Sequence, residues 1–140
     1  MKVLIDANIL LDVFQKRSPH YEKSALIWKL CEVRKITGYI SVLTFMNMVY
    51  IMRKELSSEM INNVYKALAL IFNFEDLTED DVKNALEMQL KDFEDAVQIQ
   101  TARRIGASIV ITRNVKDFMK SPIPAYTPEE FLNRIDTEQS

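Results

Sequence analysis

Two short runs of aliphatic residues, Val3-Leu4-Ile5 in a strand expected over Lys2 to Ile5 and Ile109-Val110-Ile111 in one expected over Ser108 to Thr112, constrain the fold more than anything else in the chain. Both are continuous rather than alternating, which is the pattern of a strand covered on both faces, and such strands belong to parallel sheets walled by helices. Both also stop abruptly at polar residues. Asp6 and Asn8 follow the first run, and Thr112, Arg113, Asn114 and Asp117 follow the second.

The rest of the chain fills in a layered plan. Ile9 to Phe14 is mostly apolar and turns helical, aiming Asp12 away from its neighbours. Ser18 as N-cap with Pro19 at the first helical position predicts a helix to about Arg34. Gly38 to Val42 reads as a strand, Leu43 to Leu56 as a helix, and Ser57 as the cap of another helix carrying Ile61, Val64, Tyr65, Leu68, Ile71 and Phe72 at a 3.6-residue period. The last two should form a helical hairpin. A weak strand over Phe74 to Leu77 precedes Thr78-Glu79-Asp80-Asp81, which resembles a capping box, and the helix it opens runs to about Met88. Asp92 opens the next helix and Gly106 ends it. Beyond a loop with Pro122 and Pro124, a short strand near Ala125-Tyr126 leads into Thr127-Pro128-Glu129-Glu130, a complete capping box. Strands alternate with helices from end to end, which predicts one domain over residues 1–140. Its expected form is a three-layer α/β/α sandwich with a central, mainly parallel sheet and right-handed crossovers.

Composition narrows the function by exclusion. With 18 basic and 20 acidic side chains the net charge is −2, so no whole-molecule field gathers nucleic acid; such a partner must be held by a local basic surface or by metal ions. Two glycines, Gly38 and Gly106, leave no glycine-rich phosphate loop. The single histidine, His20, can build neither a histidine metal cluster nor a catalytic triad on its own and is expected at the surface. The lone Cys31 lies in an apolar helical pattern and is expected to be a reduced core thiol. One lysine and a broken apolar run at the start resemble neither a signal peptide nor a membrane span, so the expected location is the cytoplasm. Glu59 and Thr78 to Asp81 are expected to be solvated helix-start charges. The Met and Tyr residues at 46, 48, 50, 52, 60 and 65 suit core or dimer packing better than base stacking.

In open parallel sheets, ligands bind at the carboxyl ends of strands. Asp6 and Asn8 stand at one such end, Asn114 and Asp117 at another. Asp92 and Asp95 begin the helix leading into the second strand, and a right-handed crossover brings that helix start to the same edge. Asp92 to Asp95 and Asn114 to Asp117 each have the spacing of an N-cap and its third helical residue, and either motif taken singly is more often a cap than a ligand. Asp6 is different, because a carboxylate ending a buried strand needs a specific partner. Converging carboxylates repel one another unless a dication neutralises them, and oxygen-only ligands favour Mg²⁺ or Mn²⁺ over zinc. A phosphodiester hydrolase uses such ions to activate water, so a nuclease is the expected chemistry.

Val3-Leu4-Ile5-Asp6-Ala7-Asn8, Asp92-Phe93-Glu94-Asp95-Ala96 and Ile111-Thr112-Arg113-Asn114-Val115-Lys116-Asp117-Phe118 together resemble the PIN domain, a small metal-dependent ribonuclease fold that includes VapC-type toxins of bacterial toxin-antitoxin pairs. The resemblance spans nearly the whole chain. It implies an endoribonuclease that cuts RNA with Mg²⁺ or Mn²⁺, with Asp6 and Asp95 as metal ligands and Asp92 as a second candidate beside Asp95. Asn114 or Asp117 would supply the final ligand, Asn8 would support Asp6, and Thr112 would orient its turn by hydrogen bonding. Arg113 and Lys116, with Lys16 and Arg17, would hold the RNA backbone. Many PIN nucleases carry a glutamate where this chain has Asn47, an amide without charge, so weaker metal binding is expected here. The competing expectation is a PIN-fold module that binds nucleic acid or protein without cutting. The resemblance also implies an antitoxin protein partner and a homodimer, through the helical segments 42 to 72.

Overall fold

The structure, a computed structural model, describes residues 1–139. Its elements in chain order are β1 (Lys2–Ile5), α1 (Ala7–Phe14), α2 (Tyr21–Glu32), β2 (Thr37–Ser41), α3 (Val42–Ile51), α4 (Ser58–Ile71), β3 (Asn73–Glu75), α5 (Glu79–Met88), α6 (Phe93–Ile105), β4 (Ile109–Ile111), a 3-10 turn (Val115–Phe118), β5 (Ala125–Tyr126) and α7 (Pro128–Gln139).

All five strands pair in parallel, in the order β3-β2-β1-β4-β5. β1 is central because Val3, Leu4 and Ile5 are wholly buried and can be covered only from both sides. Its two faces feed two cores. Val3 and Ile5 join Ile9, Leu10, Ile27, Ile40, Met48, Leu68 and Phe131 on one side, whereas Leu4 meets Ile99, Ala102, Val110 and Phe118 on the other. Cys31 is buried as expected, and burial pushes its thiol up to about 12. A Cβ at Gly38 would stand 2.7 Å from its Sγ and 2.8 Å from the Phe72 ring, so glycine is what lets β2 lie this close to α2.

Several local expectations hold and several need correction. Ser57 caps α4, Thr78 and Asp81 form a full capping box, Asp92 accepts the Asp95 N–H, Gly106 closes α6 with φ 72°, and Thr127 and Glu130 cap α7 reciprocally. Ser18 is not the cap of α2. The Tyr21 N–H goes to the Arg17 carbonyl, an extra turn intervenes, and the helix starts at Tyr21 with His20 as a cap that makes no side-chain bond. The segment Leu43 to Leu56 is not one helix, since α3 ends at Ile51 and Met52 turns the chain out. Nor do α3 and α4 make a simple hairpin: α3 packs on α1 and α4 on α2, with Phe45 and Tyr65 meeting edge to face at 5.8 Å. Asp81 is not solvated. It is 2% exposed and bonded by Arg104, which also reaches Glu75 at 2.7 Å and the Asp76 carbonyl. Burial works to raise the Asp81 carboxyl, but the hydrogen bonds from Arg104 and Thr78 overcome it and hold the group below its usual range.

No helix among the described residues is long and apolar enough to cross a membrane.

Candidate metal centre

The end of β1 and the end of β4 are stitched together by polar contacts. The Asp6 N–H bonds the Ile111 carbonyl at 3.0 Å, continuing the ladder one residue past the strand. The Asp6 carboxylate then turns back: Oδ1 accepts the Ala7 N–H at 2.8 Å as N-cap of α1, and Oδ2 accepts the Thr112 hydroxyl at 2.7 Å. Thr112 is fully buried, and its Oγ1 also accepts the Asn114 N–H at 3.0 Å. One threonine thereby fixes both the first acid and the turn that carries Asn114 and Asp117. Burial raises Asp6 above the usual carboxylate range; the Thr112 and Ala7 bonds oppose that, Asp117 adds to it and Arg113 opposes it.

The connection through α6 into β4, which pairs with β1, brings the third acidic segment to this edge. Asp92, Asp95, Lys116 and Asp117 line one groove of about 1130 Å³, together with Phe93, Glu94 and the flanking Lys91 and Lys120. Asp95 is pushed up to about 7, by burial first and then by Asp92, Asp117, Asp6 and Glu94. Glu94 is raised as well, by burial and then by Asp92 and Asp6. Acids from β1, α6 and the 3-10 turn thus feel one another's charge, and none of Asp6, Asp92, Asp95 and Asp117 sits in a salt bridge among the described residues. Asp95 Oδ2 is buried without a hydrogen-bond partner. Among the described residues, however, no three His, Cys, Asp or Glu side chains stand close enough to grip one ion as placed.

Each sequence candidate has a definite position. Asp92 is the N-cap of α6, accepting the Asp95 N–H at 3.1 Å. Asn114 is exposed and makes no side-chain cap, although its carbonyl takes the Asp117 N–H. Asn8 on α1 and Asn47 on α3 are half-buried and do not line the groove. Lys116 does line it. Arg113 points elsewhere, its Nε 3.1 Å from Oδ2 of Asp12.

Two features escaped sequence reasoning. Asp12 is 0% exposed, takes a hydrogen bond of 2.9 Å from Ser24, and depends on Arg113 for its cation. Its only sequence signal was an acid on an otherwise apolar helix. The second is a buried polar knot: Ser41 Oγ donates to Gln98 Oε1 at 2.9 Å, and Gln98 Nε2 donates to Thr44 Oγ1 at 2.7 Å. Gln98 follows Asp95 by one turn of α6, and Thr44 precedes Asn47 by one turn of α3. The knot therefore fixes the helix of Asp95 against that of Asn47.

These features sit in a chain that matches the family model for the PIN domain over residues 2–116. The chain belongs to the PIN-domain family. Similar PIN-domain proteins include Ribonuclease VapC1 of Aquifex aeolicus, 24% identical over 97% of this chain and 96% of that protein. A toxin-antitoxin complex from Klebsiella pneumoniae contains a chain of similar structure, with a TM-score of 0.69, 26% identity, and coverage of 90% of this chain and 97% of that one. The fold is shared also with VapC20 of Mycobacterium tuberculosis, a sarcin-ricin-loop-cleaving toxin, at a TM-score of 0.62, 12% identity, and coverage of 77% and 86%.

The crowding of acids in this PIN domain has a consequence for stability. Asp95 is raised from 3.8 towards about 7, so the metal-free fold favours its protonated form. A raised carboxyl contributes stability that is complete below the unfolded value and is lost as pH rises through the folded one. Metal-free protein is therefore expected to lose on the order of 1 kcal/mol between pH 4 and 8 from this half-exposed group, after solvent screening is counted. Thermal melts in EDTA across that range check it, with Asp95→Asn flattening the loss. A wild-type melting temperature that climbs steadily to pH 8, or an Asp95→Asn profile that tracks it, contradicts the expectation.

Proposed function

We propose that this PIN domain is a divalent-metal-dependent endoribonuclease that hydrolyses RNA phosphodiester bonds, and that it is the toxin of a toxin-antitoxin pair acting in the cytoplasm. The observation that supports the reading is that carboxylates from three distant segments, none in a salt bridge among the described residues, lie near enough to feel one another's charge, with Asp95 raised to about 7 by burial and by its acidic neighbours. The donor set fits Mg²⁺ or Mn²⁺: it is carboxylate oxygen throughout, with no nitrogen or sulfur ligand, and it includes the orphaned Asp95 Oδ2.

In this reading Asp6, Asp95 and Asp117 hold the ion, with Asp92 behind Asp95. The bound ion would supply a water of lowered pKa and charge stabilisation for the leaving oxygen. Thr112 keeps Asp6 oriented and sets the Asn114–Asp117 turn beside it. Lys91, Lys116 and Lys120 rim the groove and attract the RNA backbone, which the net charge of −2 does not. Relatives in solved toxin-antitoxin complexes support an antitoxin protein as partner. A homodimer is supported by the outward-facing Met46 and Tyr50 on α3 and Met60 and Tyr65 on α4, each at least 45% exposed, whereas Met48 and Met52 pack in the core.

The test is cleavage of single-stranded RNA by the wild type in Mn²⁺, in Mg²⁺ and in EDTA. Cleavage should appear with metal, disappear in EDTA and return on adding Mn²⁺; its absence under every condition rejects the enzyme. A second reading, a PIN module that binds without cutting, is favoured by Asn47, an uncharged amide on α3 that does not line the groove, where the resemblance expects an acid. Asn47→Glu separates the two. Restoring a carboxylate should tighten Mn²⁺ binding by about tenfold, measured calorimetrically. If affinity rises so and neither protein cuts RNA, the binding module is the better account.

A further inference from the structure

Beside the acidic groove lies a second cavity, of about 450 Å³, walled by the start of α2, the start of α7 and the turn after β4. His20, Lys23 and Arg113 bring three basic side chains to its lining, against the single carboxylate of Glu129. Neither His20 nor Lys23 enters a salt bridge among the described residues. Arg113 is held in place from behind. The wholly buried Asp12 stands 3.1 Å from its Nε, and Ser24, itself part of the cavity wall, donates to that same carboxylate oxygen. Two helix starts add the partial positive charge of their first turns.

The position of this cavity relative to the acids is what gives it meaning. Arg113 and Asn114 line it, whereas Lys116 and Asp117, a few residues on, line the acidic groove. Arg113 is near enough to Asp6 to oppose the rise of its carboxyl. The turn 113–117 is therefore a low wall with an acidic basin on one side and a basic one on the other. A polyanion crossing it meets an acidic basin where a bound dication would neutralise one phosphate and, next to it, a place for a phosphate held by basic side chains alone.

We propose that the basic cavity is a second phosphate subsite, which grips a backbone phosphate of the RNA strand adjacent to the one at the acidic groove. This rests on the ribonuclease reading for its substrate but not for its test. His20 is the only histidine in the chain, so its Hε1 proton gives a single imidazole resonance in the cavity lining. Titration with inorganic phosphate, ionic strength being held with sodium chloride, should move that resonance along a saturating curve, and Lys23→Gln should weaken the apparent affinity by about fivefold. Binding of a short single-stranded RNA should then show a salt slope shallower by about 0.7 in Lys23→Gln, the loss of one phosphate contact. A linear drift identical in both proteins, an unchanged salt slope, or a glutamate-rich peptide that moves the resonance as strongly as phosphate overturns the subsite. If His20 saturates and the slope falls while the wild type cuts no RNA in any metal, the subsite stands and the enzyme reading alone is lost.

Discussion

Asp6→Asn is expected to lower RNA cleavage about a thousandfold while leaving the fold in place. A metal-bridged transition state draws several kcal/mol from its anionic ligands, and each 1.36 kcal/mol is tenfold in rate. Asparagine keeps the side-chain oxygen that caps α1 at the Ala7 N–H, and its amide NH2 can donate to Thr112 Oγ1 where the carboxylate accepted from it, so the melting temperature should fall only slightly below that of the wild type. Asp6→Ala loses the cap and leaves the buried Thr112 hydroxyl without its acceptor, and should both inactivate and destabilise. Single-turnover cleavage alongside thermal melts separates chemistry from folding. Equal cleavage by wild type and Asp6→Asn would remove Asp6 from the active centre, and Asp95→Asn provides the same check from α6.

Arg113→Met should produce the largest loss of stability in the protein from a residue that is not apolar. Asp12 is 0% exposed and Arg113 is its one cationic partner among the described residues; of the partners described, Ser24 remains when the guanidinium goes. Removing one member of a buried pair leaves an uncompensated charge, which costs about 3 kcal/mol and lowers the melting temperature of a chain this size by roughly 10 °C. The double variant Asp12→Leu/Arg113→Met should recover most of that, because an apolar pair of similar volume does not strand a charge. A double-mutant cycle measured by urea unfolding gives the coupling directly. Coupling below about 0.5 kcal/mol would mean that Arg113 does not neutralise Asp12, and would remove the rear support from the basic cavity as well.

What was legible in the sequence was whatever short-range chemistry decides. β1 and β4 announce themselves as unbroken aliphatic runs, and the caps at Ser57, Thr78, Asp92, Gly106 and Thr127 follow from side chains bonding backbone three residues away or from one left-handed residue. That Asp6, Asp95 and Asp117 lie near enough to feel one another's charge follows from chain topology rather than from composition. What could not be read was pairing at long range. Nothing near Asp12 in sequence says that its cation lies at Arg113, and nothing near Asp81 says that Arg104 will bury it. The misplaced start of α2 has the same origin: Ser18-Pro19 has every local mark of a helix start, but the chain spends one more turn before Tyr21. Asn47 shows a further limit. The residue is plain to read, but its place outside the groove lining is not, because α3 is tied to α6 by the Ser41-Thr44-Gln98 knot, which joins partners up to 57 residues apart.

The placement of β1 in the middle of the sheet has a consequence for how the protein is made. The threonine that fixes Asp6 lies 106 residues further along the chain. At 5–20 residues per second a ribosome needs roughly 5–20 s to reach it, and during that time the first strand has no neighbour on its β4 side. Asp6 therefore has neither its Thr112 partner nor its acidic neighbour Asp117 until β4 and the turn after it have been made. The two ends of the acidic edge are thus joined late relative to the first strand, and the topology itself sets that order.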